Sequence, residues 1–406
     1  MKVPTMKHPN SRVETKSLFI SGFLAAMTIT AWGFAPTHKA HLRDPAKVLP
    51  YKNWGLINHQ DRSHIHALDA WKLEEGNRNI LVAVIDTGID ADHPDLKGNI
   101  WQDPKAKVLQ GRKPMASVRK GKNSNPAPKT AEVRERVYGW NFVVDQANPK
   151  DDHGHGTHVA GIIGAIANPK SGVAGVAQKV SIMAVKYYSD ANPGSVNLRN
   201  TVRAINYAVD MGARIINYSG GGPEFSEEEF QAIKRAEARG VLFVAAAGNE
   251  HQDTDQVENF YYPSAYRLSN ILSVAATDIH NNLLKSSNWG KNKVDVTAPG
   301  ENIFSTLPGN RFGYMTGTSQ ATAFVTGVAA LLLAKDPTLT PVQIKQLIMG
   351  SVDKFPQLAD KVFTGGRVNA YGALLALKNR PKGASPVLAT GPKQRETAKE
   401  LATQTW

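Results

Sequence analysis

Five short, nearly continuous apolar runs constrain this chain most: Ile80–Ile85, Val180–Val185, Arg214–Tyr218, Val241–Ala246 and Ile271–Ala276. Strands apolar along their whole length must be covered on both faces, which is the condition of a parallel sheet. Segments with helical patterning separate them, at Ala67–Leu73, His155–Ala167, Val196–Val209, Glu227–Arg239, Ser319–Ala334 and Pro341–Met349. The alternation predicts an α/β fold, a doubly wound, mostly parallel sheet with helices on both faces. Within Ser319–Ala334 the stretch A-T-A-F-V-T-G-V-A-A-L-L-L-A is apolar nearly all round, which predicts a helix buried in the core.

In such sheets, sites form at the carboxyl ends of strands. V-I-D-T-G-I-D puts Asp86 at the end of the first run, and A-A-A-G-N puts Asn249 just beyond the fourth. D-H-G-H-G-T-H-V-A-G, Asp152 to Gly161, opens one helix, and G-T-S-Q-A-T-A-F-V-T-G, Gly317 to Gly327, opens the buried one. Ser319 therefore stands at a helix N-terminus, where free N–H groups and the helix dipole favour negative charge. That suits a nucleophile whose attack creates an oxyanion. A serine hydroxyl is a weak nucleophile without a base, and His155 is the candidate.

Each motif also has a plainer reading. Gly-Thr-Ser is an ordinary helix cap, and Asp86 and Asn249 each neighbour a glycine, as turn formers do. His153, His155 and His158 have a zinc-like spacing, although Thr157 stands where the metallo-β-lactamase pattern has Asp. Asp-Thr-Gly occurs in aspartic peptidases too, but those need two carboxylates sharing a proton, and no second such motif is present.

The four motifs together, in the order Asp, His, Asn, Ser across Trp54 to Leu377, resemble the subtilisin-like serine peptidases. The triad and its chain order are those long described for that family. The resemblance implies a serine endopeptidase, which the N-terminal pattern described below reads as exported, with catalytic Asp86, His155 and Ser319. It implies Asn249 as oxyanion donor together with the Ser319 backbone N–H. Ser219, Gly220 and Gly221 would pair with the substrate backbone as an added strand, and Ala245 to Gly248 would form a second wall of the specificity pocket. Tyr261 maps near the base of that pocket; an inward ring would shorten it and favour small side chains, and a ring turned away would leave it open. Calcium is the bound ion the resemblance implies, with Asp95 of H-P-D-L and Asn168 as ligands; no cofactor is expected for catalysis. Gln320 and Ala323 depart from the more usual Met and Pro.

At 406 residues the chain can bury a large core, and with no cysteine it has no disulfide, thiolate metal site or cysteine nucleophile. Residues 1–35 read as a signal peptide: Lys2, Lys7, Arg12 and Lys16 precede the uncharged stretch Leu18–Phe34, with small Gly33 and Ala35 before a cleavage point. Residues 36–50 form a short linker or residual pro-segment, 51–377 the peptidase domain, and 378–406 a polar tail. Residues 104–137 carry ten Lys or Arg against two Glu and read as a basic insertion loop within the domain. That loop could bind an acidic surface, nucleic acid or anionic lipid, yet no aromatic residue interleaves its charges, which argues against base stacking. The expected partners are protein or peptide substrates of a monomeric enzyme. No specific nucleic acid is expected, and a membrane only if the leader is uncleaved. Two other readings compete: a catalytically silent peptide-binding relative, and an envelope- or nucleic-acid-associated protein targeted by the basic loop.

Overall fold

Burial on both faces turns the apolar runs into the centre of one sheet. The computed structural model describes residues 51–58, 63–106, 108–109, 133–134 and 137–380. The leader, the linker, most of the basic insertion and the tail beyond 380 lie outside the described residues. In chain order the elements are α1 (Ala67–Trp71), β1 (Gly76–Asp86), β2 (Val108–Leu109), β3 (Val133–Arg134), β4 (Gly139–Asn141), β5 (Gln146–Ala147), α2 (His155–Gly164), β6 (Lys179–Lys186) and α3 (Gly194–Asp210). There follow β7 (Ile215–Tyr218), α4 (Glu227–Ala238), β8 (Leu242–Ala246), β9 (Ile271–Thr277), β10 (Val296–Pro299), β11 (Ile303–Leu307), β12 (Arg311–Met315), α5 (Thr318–Lys335), α6 (Pro341–Gly350), β13 (Asp353–Lys354), β14 (Gly366–Arg367) and α7 (Ala370–Lys378).

Ten strands form the main sheet in the order β13-β14-β10-β9-β8-β7-β1-β6-β4-β5. Only the outermost pairs, β13–β14 and β4–β5, are antiparallel. After β1 the chain lays down the β4–β5 pair at one edge, returns to β6 beside β1, and then builds β7, β8, β9 and β10 outward on the other side. The winding reverses at β1, which marks the carboxyl ends of β1 and β7 as the place for a site.

The period of two along each strand divides the core. Val82, Val84, Ile182, Ile215, Leu242 and Val244 face the layer of α2, α5, α6 and α7. Leu81, Ala83, Ile85, Met183, Ile216 and Phe243 face α3 and α4, whose Ala204, Ile205, Ile233 and Ala236 complete the second cluster. Helix α5 lies across β1, β7, β8, β9 and β10 and is buried from Thr318 to Leu333. Small residues make that position accessible: a Cβ at Gly327 would stand 2.5 Å from the Cβ of Val176. Among the described residues no helix is long and apolar enough to cross a membrane.

Two differences from the sequence reading bear on the site. Strand β1 begins at Gly76, in a polar, exposed stretch that apolar patterning does not mark. The antiparallel hairpin β11–β12 falls outside the strand–helix alternation of the sequence; its Ser305 and Thr306 hydroxyls donate to the His158 and Thr157 carbonyls at 2.7 and 2.8 Å and dock the hairpin on α2.

Candidate active site

Asp86 is the last residue of β1, and the Thr87 N–H donates to its Oδ1 at 2.7 Å. His155 is the first residue of α2, and its Nδ1 lies 2.7 Å from the same oxygen. The close approach depends on Gly156, where a Cβ would fall 3.1 Å from the Asp86 Cβ and collide with the Gly88 carbonyl oxygen. With Nδ1 donating to Asp86, Nε2 is left as the acceptor. Burial disfavours the imidazolium, but the charge and hydrogen bond of Asp86, with a further contribution from Asp151, outweigh it and raise the His155 pKa above its ordinary value.

Ser319 is the second residue of α5, so its N–H has no intrahelical partner. Its Oγ donates to the Ser219 carbonyl at 3.1 Å. The β1–β7 register places Ile85 opposite Tyr218, so Ser219 emerges beside Asp86 on the neighbouring strand. The bond to Ser219 thus brings the Ser319 hydroxyl to the strand end where Asp86 holds His155. The hydroxyl is bonded to Ser219 rather than to His155, and catalytic hydrogen bonds commonly tighten only when substrate is present.

Asn249 lies three residues past β8. Its Oδ1 accepts from the Thr318 N–H at 2.9 Å and from Thr318 Oγ1 at 3.2 Å, leaving Nδ2 as the free donor beside the start of α5. Ser219 is braced from below. Buried Asn217 donates to its Oγ at 3.0 Å and accepts from Thr326 of α5 at 2.8 Å.

Several of these supports escaped the motif reading. Asp151 is 3% exposed and accepts from the backbone N–H groups of His153, Gly154 and Thr157 and the hydroxyls of Thr87 and Thr157, at 2.6 to 3.0 Å. It locks the turn that presents His155. A carboxylate just before a helix start was the available signal. Lys186, opposite Asp86 in β6, is buried, donates to the Thr87 carbonyl at 2.9 Å and pairs with Asp152 at 2.5 Å.

His158 is fully buried, with Nε2 2.9 Å from the Ile303 carbonyl oxygen, and its pKa is lowered to about 3, by burial first and by His155 second. It is a neutral packing residue. Among the described residues no group of three or more His, Cys, Asp or Glu side chains is placed to hold a metal.

Gly220 to Gly222 run out from β7, and Gly222 pairs with Tyr262 through hydrogen bonds of 3.0 and 2.8 Å. Gly248 stands at φ 103° opposite them. Ala245 is a correction: it is fully buried in the cluster against α3 and α4, because its place in β8 points it into the core. Tyr261 turns inward, between Gly221 and Gly248.

Asp95 and Asn168 do meet, but as partners of each other. Asp95 Oδ1 accepts from Asn168 Nδ2 at 2.7 Å and Oδ2 accepts from Ser171 Oγ at 2.9 Å. Calcium takes six to eight oxygen ligands. Here the one carboxylate is satisfied by protein donors and Asn168 offers it nitrogen, so this arrangement does not fit a calcium cage.

Residues 77–373 match the model of the subtilase family. Thermitase of Thermoactinomyces vulgaris is 34% identical over 310 residues, covering 76% of this chain and 93% of thermitase. The major intracellular serine protease of Bacillus subtilis (strain 168) is 36% identical over 272 residues, covering 66% and 72%. The crystal structure of MycP1 with its N-terminal propeptide removed covers 76% of this chain and 94% of that one at a TM-score of 0.59; at 23% identity this likeness concerns the fold. A serine endopeptidase, a hydrolase of peptide bonds in proteins or peptides, is the class these findings define. The chain belongs to the subtilase family.

Proposed function

We propose that Ser319 is the nucleophile and that cleavage passes through an acyl-enzyme. Ser319 Oγ turns from the Ser219 carbonyl to His155 Nε2, gives up its proton there and attacks the scissile carbonyl. Asp86 holds the imidazole in the required tautomer and stabilises the imidazolium. Asn249 Nδ2 and the Ser319 N–H receive the oxyanion. His155 then protonates the leaving amine, and water repeats the sequence to release the acid. The observation that carries this reading is the 2.7 Å Asp86–His155 pair at the strand end where Ser219 holds Ser319. Ser319→Ala should abolish hydrolysis of an internally quenched peptide, a loss of about 10⁶-fold, the size measured for this change in a relative. Retained hydrolysis by the purified variant would remove Ser319 from the role.

The enzyme is further proposed to act outside the cytoplasm as a monomer, anchored to a membrane only if the leader stays attached. The support is the basic-then-apolar pattern of residues 2–35. One relative bears the name intracellular, so the compartment needs its own test. A mature N-terminus following Ala35, read by mass spectrometry, is the expected result; protein retained intact in the cytoplasm would contradict it.

A further inference from the structure

The cleft beside Ser319 has two glycine-lined walls, and one aromatic ring spans the gap between them. Strands β7 and β8 are neighbours, with Tyr218 opposite Ala245, so the segments that leave them, Ser219–Gly222 and Ala247–Asn249, run out side by side. Both are tied to the reacting centre, the first through the Ser319 hydroxyl on the Ser219 carbonyl and the second through Asn249 on Thr318. A side chain entering next to the attacked carbonyl would pass between them.

Tyr261 occupies that gap. A Cβ on Gly221 would collide with Tyr261 Cε1 and lie 2.9 Å from Cζ, and a Cβ on Gly248 would lie 3.0 Å from Cδ2. Cε1 and Cδ2 belong to opposite edges of the ring, so each edge abuts one wall. The ring is held in place by the chain that follows it. Tyr262 pairs with Gly222 in both directions, and the Tyr261 carbonyl accepts from the Ala265 N–H at 2.8 Å. A Cβ on Gly220 would collide with the Tyr187 hydroxyl and lie 3.2 Å from that of Tyr218, so two phenols back this wall. Burial, with Glu250 next, raises the phenol pKa far above its usual range, so the group is neutral at any working pH. Glu250 sits at the rim near Gly248, its Oε2 accepting from Asn288 Nδ2 at 2.6 Å.

We infer that Tyr261 is the specificity-determining floor of this pocket, and that the enzyme cleaves after small residues (alanine, glycine or serine). The inference rests on the acyl-transfer reading of Ser319. A methyl or hydroxymethyl group fits above the ring, whereas a phenyl or isobutyl group would have to displace it together with the paired Gly222–Tyr262 segment. An acidic residue would in addition meet the Glu250 carboxylate. Contacts of this kind discriminate by about 10–200-fold per methylene-sized change.

The test is a set of internally quenched peptides identical except for the residue before the scissile bond (Gly, Ala, Ser, Leu, Phe or Glu). Rates are normalised to active sites counted with a fluorophosphonate. Wild type should cleave after Ala or Ser at least tenfold faster than after Phe or Leu. Tyr261→Gly should reverse that order in favour of Phe, and Tyr261→Phe, which keeps the ring, should preserve it. Should Tyr261→Gly fail to fold, Tyr261→Ala provides the same opening with a Cβ retained. A wild-type preference for Phe or Leu, or a ratio unmoved by opening the pocket, would overturn the role of Tyr261 while leaving Ser319 intact. Protein that takes no label and cleaves no peptide would overturn the reading of Ser319, and the pocket with it.

Discussion

Thr318 clasps the carboxamide of Asn249 with two donors, its backbone N–H at 2.9 Å and its hydroxyl at 3.2 Å, both to Oδ1. Residues 69 positions apart are thereby set so that Asn249 presents nitrogen, not oxygen, to the start of α5. Asn249→Ala should lower kcat by about 10²–10³-fold with little change in KM, a magnitude that comes from a member of this family. Thr318→Val removes one of the two orienting bonds and should cost roughly two- to tenfold in kcat, with Thr318→Ser close to wild type. Steady-state kinetics decide it: a KM effect without a kcat effect would make the clasp a matter of binding or folding.

Asp86 raises the pKa of His155, and the sign of the consequence is fixed. The base must be neutral to accept a proton, so kcat/KM should fall as pH drops through a value above 6.5. Asp86→Asn removes the charge that favours the imidazolium. The acid limb should move to lower pH while kcat falls by about 10⁴-fold. A pH–rate profile whose acid limb does not move in the variant would mean that another group sets it.

The elements that sequence patterning marks well are those whose burial is complete. β6 to β9 and α5 lie in the middle of the sheet or across it, so nearly every side chain is apolar. Asp86 and Asn249 were legible because a polar residue ending an apolar strand stands out. What stayed hidden is polar and non-local. Asp151 acts through backbone N–H groups and through Thr87, 64 positions away. The β11–β12 hairpin mixes Ser305 and Thr306 with apolar neighbours because those hydroxyls bond to α2, which erases strand alternation. Nothing in A-A-A-G-N says which alanine faces the core, so the burial of Ala245 is not legible in the sequence.

Glu229 offers a stability test away from the chemistry. It is buried in the first turn of α4, and burial raises its pKa to about 7, opposed by the hydrogen bond it accepts from the Tyr266 hydroxyl at 2.8 Å. A carboxyl with a folded value above its unfolded 4.5 contributes stability that is full below that value and lost as pH rises to about 7. Glu229→Gln keeps an acceptor for Tyr266 without the charge. Thermal melts should show the variant more stable than wild type at about pH 8 and no more stable near pH 4. Equal differences at both pH values would mean that Glu229 is not titrating in that window.

The loop at Asn168 should stand without metal. Chelator is expected to leave the melting temperature unchanged. Asp95→Ala, which strips acceptors from Asn168 and Ser171, should destabilise by about 1–3 kcal/mol. A melting temperature lowered by chelator and restored by calcium would show that the loop rearranges around the ion.

Catalysis requires that Ser319 be activated at the start of α5. The most direct measurement is reaction of the purified mature protein with a fluorophosphonate, followed by mass mapping of the labelled peptide. The predicted result is one label per chain, on Ser319, absent in Ser319→Ala and greatly slowed in His155→Ala. Folded protein that takes no label, or takes it elsewhere, would contradict it.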